Sequence, residues 1–217
     1  MMKIEYLGHS SFKITYKGGV VITDPFSPSY VGLPFKKTEA NLLLSSHAHE
    51  DHNYLENITG EPFVISAPGE YEVGGVKVRG FSSFHDDKEG KERGRNTIYT
   101  FEVEGVTFCH LGDLGHSLSE ATAEELPDLG VLFVPVGGIF TIDASTASKV
   151  VAQLEPSYII PMHYRVEGMS KGFSELAPVK TFLEEMGVED QEEVAKLEVS
   201  STALPEEPQV VVLQPTG

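Results

Sequence analysis

The chain has 217 residues, enough for one well-packed core and small for two. A hydrophobic content of 40% with 23% charged residues is ordinary for a soluble globular protein and excludes a disordered or fibrous one. The formal net charge of −17 argues against nucleic acid as a partner, because phosphate backbones are held by basic surface.

The first third reads as strands. Ile4–Leu7, Phe12–Tyr16 and Val20–Thr23 alternate or run apolar, with Lys17-Gly18-Gly19 as a hairpin turn. Asn41-Leu42-Leu43-Leu44-Ser45 reads as a buried strand emptying into a loop, and Asp51 to about Asn57 as a helix. Strand patterning continues at Phe63–Ser66, Val76–Phe81, Thr97–Val103 and Val106–Leu111, with Glu104-Gly105 as a tight turn. Beyond Asp113 helix and strand alternate. Ser119–Leu126 is a short helix capped by Ser119, Gly130–Val136 a buried strand, and Asp143–Leu154 a helix capped by Asp143. Ala147, Val150, Val151 and Leu154 mark the inner face of that helix. Ser157–Pro161 is a strand, Phe173–Met186 a helix stopped by Gly187, and Val194–Val199 and Gln209–Leu213 are candidate closing strands. Pro and Gly occur as single turn markers with no linker between them, which favours one domain over 1–217. The predicted class is α/β (α+β), two sheets packed together with helices outside.

The lone cysteine, Cys109, excludes an intramolecular disulfide, suits a reducing cytosol and reads as a small core residue. The opening Met1–His9 lacks the apolar stretch of a signal peptide. Val131–Val136 is too short by a factor of about three to span a bilayer. These features predict a cytoplasmic protein without a membrane partner, and leave a homo-oligomer open.

The chemistry concentrates in Ser46-His47-Ala48-His49-Glu50-Asp51-His52. In an extended loop, residues two apart point the same way, so His47 and His49 can grip one ion together. Asp51 and His52 turn towards a second position. Such a set of nitrogen and oxygen ligands suits Zn²⁺, Mn²⁺ or Fe better than a metal that wants sulfur. Candidate partners elsewhere are His9, His85, His110, His116 and His163, together with Asp113, a carboxylate set between glycines at a strand end. Its two oxygens can serve one cation each.

His-x-His-x-Asp-His after a strand, a later lone His, Gly112-Asp113 after another strand and Met162-His163-Tyr164 after a third resemble the metallo-β-lactamase-fold hydrolases. The chain looks closest to the small branch containing ascorbate-phosphate lactonase-like proteins, and shares the pattern with N-acyl-phosphatidylethanolamine phospholipase D. Leu7–Phe12, Thr23-Asp24-Pro25, Ala67–Glu72, Gly94-Arg95-Asn96 and Pro135–Gly138 extend the likeness almost end to end. It implies an αββα four-layer sandwich with two divalent metal ions, Zn foremost, at one edge of the sheets. One site would use His47, His49 and His85, the other Asp51, His52 and His163, with Asp113 bridging. His85 is preferred over His110, which lies inside an apolar strand.

Around that set, His9, His110 and His116 are candidates to face substrate or to support a ligand, or else to be structural histidines. Asp24 could accept a hydrogen bond from a ligand imidazole or form a turn. Gly137 and Gly138 either admit close approach of a substrate or turn the chain. Arg95, with Asn96 beside it, and Arg93 flank the presumed cleft loop, where an arginine could hold an anion, although Arg93 reads more simply as solvated. Tyr164 follows His163 into the same region. Two cations sharing a water lower its pKa, and Asp51 can take its proton. The leading expectation is a hydrolase of a small-molecule ester, lactone or phosphodiester. The alternatives are a phosphodiesterase or nuclease acting on RNA or DNA, and a non-catalytic metal-binding regulatory protein.

Overall fold

The computed structural model of the chain describes residues 1–188 and 191–216. Its first half contains strands β1 (Met2–Gly8), β2 (Ser11–Tyr16) and β3 (Gly19–Thr23), then a single helical turn α1 (Pro28–Val31). Strands β4 (Thr38–Glu39), β5 (Leu42–Leu44), β6 (Ile58–Thr59), β7 (Phe63–Ile65) and β8 (Gly69–Val73) follow. The second half has β9 (Val76–Phe84), β10 (Arg95–Val103), β11 (Val106–His110), α2 (Glu120–Glu125), β12 (Val131–Pro135) and α3 (Ala144–Leu154). It closes with β13 (Tyr158–Met162), α4 (Val179–Glu185), β14 (Leu197–Val199) and β15 (Gln209–Val210).

Two large sheets form, in the orders β14-β1-β2-β3-β5-β7 and β15-β13-β12-β11-β10-β9-β8. Each begins as an antiparallel meander and becomes parallel: β3 runs parallel to β5 and β5 to β7, while β11, β12, β13 and β15 run parallel in turn. Through the antiparallel pairs, β1 therefore points the same way as β3 and β5, and β9 the same way as β11, β12 and β13. The carboxyl ends of all these strands are where a mixed sheet opens a crevice for ligands. His9, Asp24, the His47–His52 loop, His85, Asp113 and His163 each follow one of those ends.

The sheets are joined by aromatic packing. Phe12 meets Phe133 at a ring-centroid distance of 4.2 Å, with Tyr6 stacked on Phe12 at 5.0 Å and Phe101 on Phe108 at 5.1 Å. A smaller cluster of Leu7, Ile22, Phe26, Val31, Leu33 and Phe173 seals the outer side of the first sheet. Helix α3 turns Ala147, Val150 and Val151 inward, and Asp143 caps it by accepting from Thr146 N at 2.8 Å. Two large mixed sheets with few helices are the metallo-β-lactamase arrangement expected from the motifs.

Three readings need correction. Residues 51–57 are turns rather than a helix, because their amides bond elsewhere: Tyr54 N donates to Pro25 O at 2.8 Å and His52 N to His49 O at 2.9 Å. The predicted helix Phe173–Met186 is broken into a 3₁₀ turn (Lys171–Phe173) and α4. Pro178 is the reason, since it lacks an N–H and forces Ala177 out of the helical region. Strand β8 was not predicted although Glu70-Tyr71-Glu72-Val73 alternates, and turn α1 is too short to show a helical period. Of the closing segments, only Leu197–Val199 and Gln209–Val210 pair as strands.

Phe12 is fully buried between the sheets. Phe12→Ala should cost about 3–5 kcal/mol in a denaturant titration, and a loss under about 1 kcal/mol would mean that the inter-sheet stack is not the main fastening.

Candidate metal centre

Among the described residues, three groups bring potential ligand atoms within 4.8 Å of one another. His47, His49 and His85 form one; His9, Asp51, His52 and His163 another; His47, His52 and Asp113 the third. Asp113 is 1% exposed and stands in the middle. Its Oδ2 lies 3.1 Å from His85 Nε2, 3.2 Å from His52 Nε2, 3.2 Å from His163 Nε2 and 4.0 Å from His47 Nε2. His47 Nε2 is 3.0 Å from His49 Nδ1, and His52 Nε2 is 3.6 Å from Asp51 Oδ2.

These separations can be tested against a cation. Ligands about 2.1 Å from one tetrahedral ion stand about 3.4 Å apart. The observed contacts bracket that spacing. His52 Nε2, His163 Nε2 and the other Asp113 oxygen, Oδ1, are buried without a hydrogen-bond partner. Orphaned polar atoms in a core are costly, and a cation is the group that would satisfy them together. The residues fit divalent metal ions.

Backbone conformation aims the side chains. His9, Asp24 and His163 have φ of 56°, 38° and 53°, in the left-handed region that His and Asp enter more readily than most residues. Each makes a sharp exit from a strand. His163 N donates to His9 O at 2.8 Å, which ties the ends of β13 and β1 across the two sheets. Gly115 has no side chain for a reason: a Cβ there would lie 2.2 Å from Asp86 N, so only glycine lets the Asp113 loop lie against His85.

Behind the ligands lies a set of braces. Asp24 Oδ2 accepts from His52 Nδ1 at 2.8 Å and from Ser46 Oγ at 2.6 Å, while its Oδ1 accepts from Ser46 N at 2.7 Å. That carboxylate fixes the His52 ring with Nε2 facing Asp113, the usual support of a ligating imidazole. Asn96 Oδ1 accepts from Asp113 N at 3.0 Å, and Asn96 Nδ2 donates to Leu111 O at 2.9 Å and Ser83 Oγ at 2.8 Å. Asn96 is thus a buried clamp on the Asp113 turn. His9, fully buried, places Nε2 3.2 Å from Asp51 Oδ2 and joins the second group directly.

His110 has both ring nitrogens occupied, one against Ser10 O at 2.9 Å and the other accepting from Gly112 N at 3.1 Å. It stays outside all three groups, whereas His85 lies within one. Other candidates also lie outside. His116 Nε2 accepts from Phe84 N, at the end of the strand that leads to His85. Gly137 abuts His163 O, a contact within the chain that leaves no opening for a substrate, and Gly138 lies on a neighbouring hollow. Tyr164 is buried in the core beside Tyr6, and Arg95 is exposed on the far side of His47 and His49.

The electrostatics of the metal-free site divide the candidate ligands. Burial, then the neighbouring His52, lowers the His47 pKa to about 3; burial, then His163, lowers that of His9 to about 4. Both rings are therefore neutral and free to donate lone pairs. Burial works to raise the Asp113 carboxyl, but His163 and His52 overcome it and hold the group well below its ordinary range. Burial also disfavours a proton on His52, yet Asp113, Asp51 and Asp24 outweigh it and hold its pKa well above the usual imidazole value.

The cleft in front of these groups measures about 340 Å³ and is lined by His49, Asp51, His85 and Asp113 on one side and by Tyr30, Arg93, Phe140 and Phe173 on the other. Those last four were missed or discounted in the sequence, because they come from separate loops with no shared motif.

The sequence profile of the β-lactamase superfamily domain matches residues 3–163. The crystal structure of a Thermotoga maritima protein of the metallo-β-lactamase superfamily, assigned by inference to the zinc-dependent hydrolases, superposes with a TM-score of 0.80. It shares 38% identity and covers 98% of both chains. Igni18, a metallo hydrolase from Ignicoccus hospitalis, shares the fold at a TM-score of 0.64 and 22% identity, over 92% of this chain and 99% of that one. The protein is a member of the metallo-β-lactamase superfamily. A UPF0173 metal-dependent hydrolase from Thermococcus onnurineus is 32% identical over 192 residues, 76% of this chain and 85% of that one. The chain belongs to that family of metal-dependent hydrolases.

Two experiments test the centre. His85→Ala should lose metal from protein purified without added metal, while His110→Ala should keep its stoichiometry and lose thermal stability; the opposite pattern would exchange their roles. In the metal-free protein His52 keeps its proton at neutral pH, and a metal at Nε2 must displace it, so affinity should rise with pH. Titration with Zn²⁺ at pH 7 should release protons, seen as a dependence of the heat on buffer ionisation enthalpy. Heats independent of the buffer would mean that His52 is neutral or not a ligand.

Proposed function

We propose that the protein is a cytoplasmic hydrolase of small-molecule esters, lactones or phosphodiesters working with two divalent metal ions, Zn²⁺ foremost and Mn²⁺ or Fe as alternatives. The observation that carries this reading is the single Asp113 oxygen within 3.2 Å of imidazoles from three different loops. His47, His49 and His85 would hold one ion and Asp51, His52 and His163 the other, with Asp113 within reach of both. When bound, such a pair of cations supplies Lewis acidity and an acidified water.

The protein's part is to position and to move a proton. Asp51 lines the cleft and keeps some exposure, whereas Asp113 is sealed in. Burial tends to raise the Asp51 carboxyl, but His52 and His9 more than offset this and hold it below the ordinary range. It is therefore an ionised acceptor at neutral pH, within reach of a water entering from the cleft. His9 Nε2, at 3.2 Å from Asp51 Oδ2, steadies that carboxylate. Asp24 does the same for His52. No separate Ser or Cys nucleophile is required, and Cys109 is buried in the core with its thiol pKa pushed up by burial.

A small-molecule partner is favoured over RNA or DNA. The net charge of −17 supports this, as does a cleft lined by one arginine and no lysine. Among the described residues no helix is long and apolar enough to cross a membrane. The resemblance to lactonase-like proteins keeps lactones among the first substrates to try.

Purified protein should contain close to two metal ions and turn over at least one of a nitrophenyl ester, a lactone and bis-nitrophenyl phosphate. Asp51→Asn should lower kcat by about 10²–10⁴-fold. Full activity in Asp51→Asn would remove it from the mechanism. Submicromolar affinity for single-stranded RNA in a titration at about 150 mM salt would favour a nuclease instead.

A further inference from the structure

We infer that the cleft selects a small anionic substrate, one bearing a carboxylate or phosphate on an apolar body, and that Arg93 receives the anion. The inference rests on the hydrolase reading and specifies its substrate class.

Arg93 is the sole Lys or Arg among the residues lining the cleft, in a chain whose overall charge repels anions. Its backbone is firmly held. Asp86, buried directly after His85, accepts from Lys88 N, Gly90 N, Glu92 N and Arg93 N at 2.9, 2.8, 3.0 and 2.7 Å. His85 N in turn donates to Gly94 O at 3.0 Å. The loop carrying Arg93 is thus pinned to the residue that follows a candidate ligand, which fixes the distance between the anion receptor and the reacting centre.

The side chain is also unspent. Its guanidinium carbon stands 5.7 Å from the Phe140 ring centroid, a cation–π spacing that orients the planar fork. Among the described residues, its one carboxylate partner within 4.0 Å is the solvent-exposed Glu92 at 3.9 Å, a weak partner in water. The fork matches the two oxygens of a carboxylate or phosphate. Next to it, Phe140 and Phe173 lie at a centroid distance of 6.2 Å and Tyr30 and Phe173 at 5.9 Å, a continuous aromatic wall for an apolar body. At about 340 Å³ the cleft sits at the small end of ligand sites.

The test uses metal-loaded full-length protein, with Arg93→Ala and Arg93→Lys. The first readout is hydrolysis of mono-4-nitrophenyl glutarate, an anion, against its neutral methyl ester. Arg93→Ala should lower kcat/KM for the anion by about 10–100-fold, mostly through KM, and leave the neutral ester within about threefold; Arg93→Lys should recover part of the loss. Equal loss on both esters overturns the assignment. The second readout needs no turnover: calorimetric binding of 3-phenylpropionate and 3-phenylpropanol. The carboxylate should bind the wild type and weaken about tenfold or more in Arg93→Ala, with the alcohol unaffected. No binding to the wild type, or equal affinity for both proteins, overturns the inference. Selective binding without hydrolysis of either ester would count against the ester hydrolase reading while upholding Arg93.

Discussion

A single buried carboxylate governs the architecture. Asp113 is almost fully removed from water, yet its carboxyl is held well below the ordinary range because His163 and His52 outweigh the cost of burial. An isolated ionised carboxylate in that position would be costly enough to neutralise itself or unfold its surroundings. Its neighbours reach it only because both sheets end their co-directed strands at one place: His52 follows β5, His85 follows β9 and His163 follows β13. The inter-sheet packing of Phe12 on Phe133 sets the relative position of those ends. Stability of the fold and assembly of the metal centre are therefore one problem. A shift between the sheets would separate His85, Asp113 and His163 from the His47–His52 loop.

The braces explain why the centre keeps its shape before any metal arrives. Asp24 and Asn96 have nearly all their polar atoms engaged by backbone or ligand side chains, so they hold the His52 ring and the Asp113 turn. Among the candidate ligand atoms, His52 Nε2, His163 Nε2 and Asp113 Oδ1 are left without such partners. This division, satisfied supports around unsatisfied ligands, is what a preorganised metal site requires. It also gives His9 a definite place, since its Nε2 bears on the one cleft-lining carboxylate that keeps solvent access.

Much of this was legible in the chain. Strand periodicity located most of the sheet, and the His47–His52 run carried the centre because its spacing is local. His85, Asp113 and His163 were recognisable only as polar residues at strand ends; the preference for His85 over His110 rested on His110 lying inside an apolar strand, and the structure adds that both of its nitrogens are engaged, by Ser10 O and Gly112 N. The Phe173–Met186 segment has helical composition, but Pro178 overrides it. Residues 51–57 have helix-compatible composition too, yet tertiary partners such as Pro25 O take the amides a helix would need. Least legible was the cleft wall. Tyr30, Arg93, Phe140 and Phe173 are distant in sequence and share no periodicity, so nothing local marks them as neighbours.

That contrast has a physical basis with consequences for specificity. Groups that hold cations must keep their positions to a fraction of an ångström, and strand ends braced by buried hydrogen bonds provide this. Groups that recognise a substrate need only present a surface, and loops suffice. Here the two are linked at one point, where Asp86 follows His85 and gathers four amides of the loop that bears Arg93. The recognition loop is thus referenced to the metal-binding frame through adjacent residues of the backbone. A change of substrate can be made by altering Tyr30, Phe140 or Phe173 without touching that anchor, whereas loss of Asp86 would free both Arg93 and the main chain beside His85. The hydrolytic frame and the choice of substrate are separable on the aromatic side of the cleft and inseparable on the arginine side.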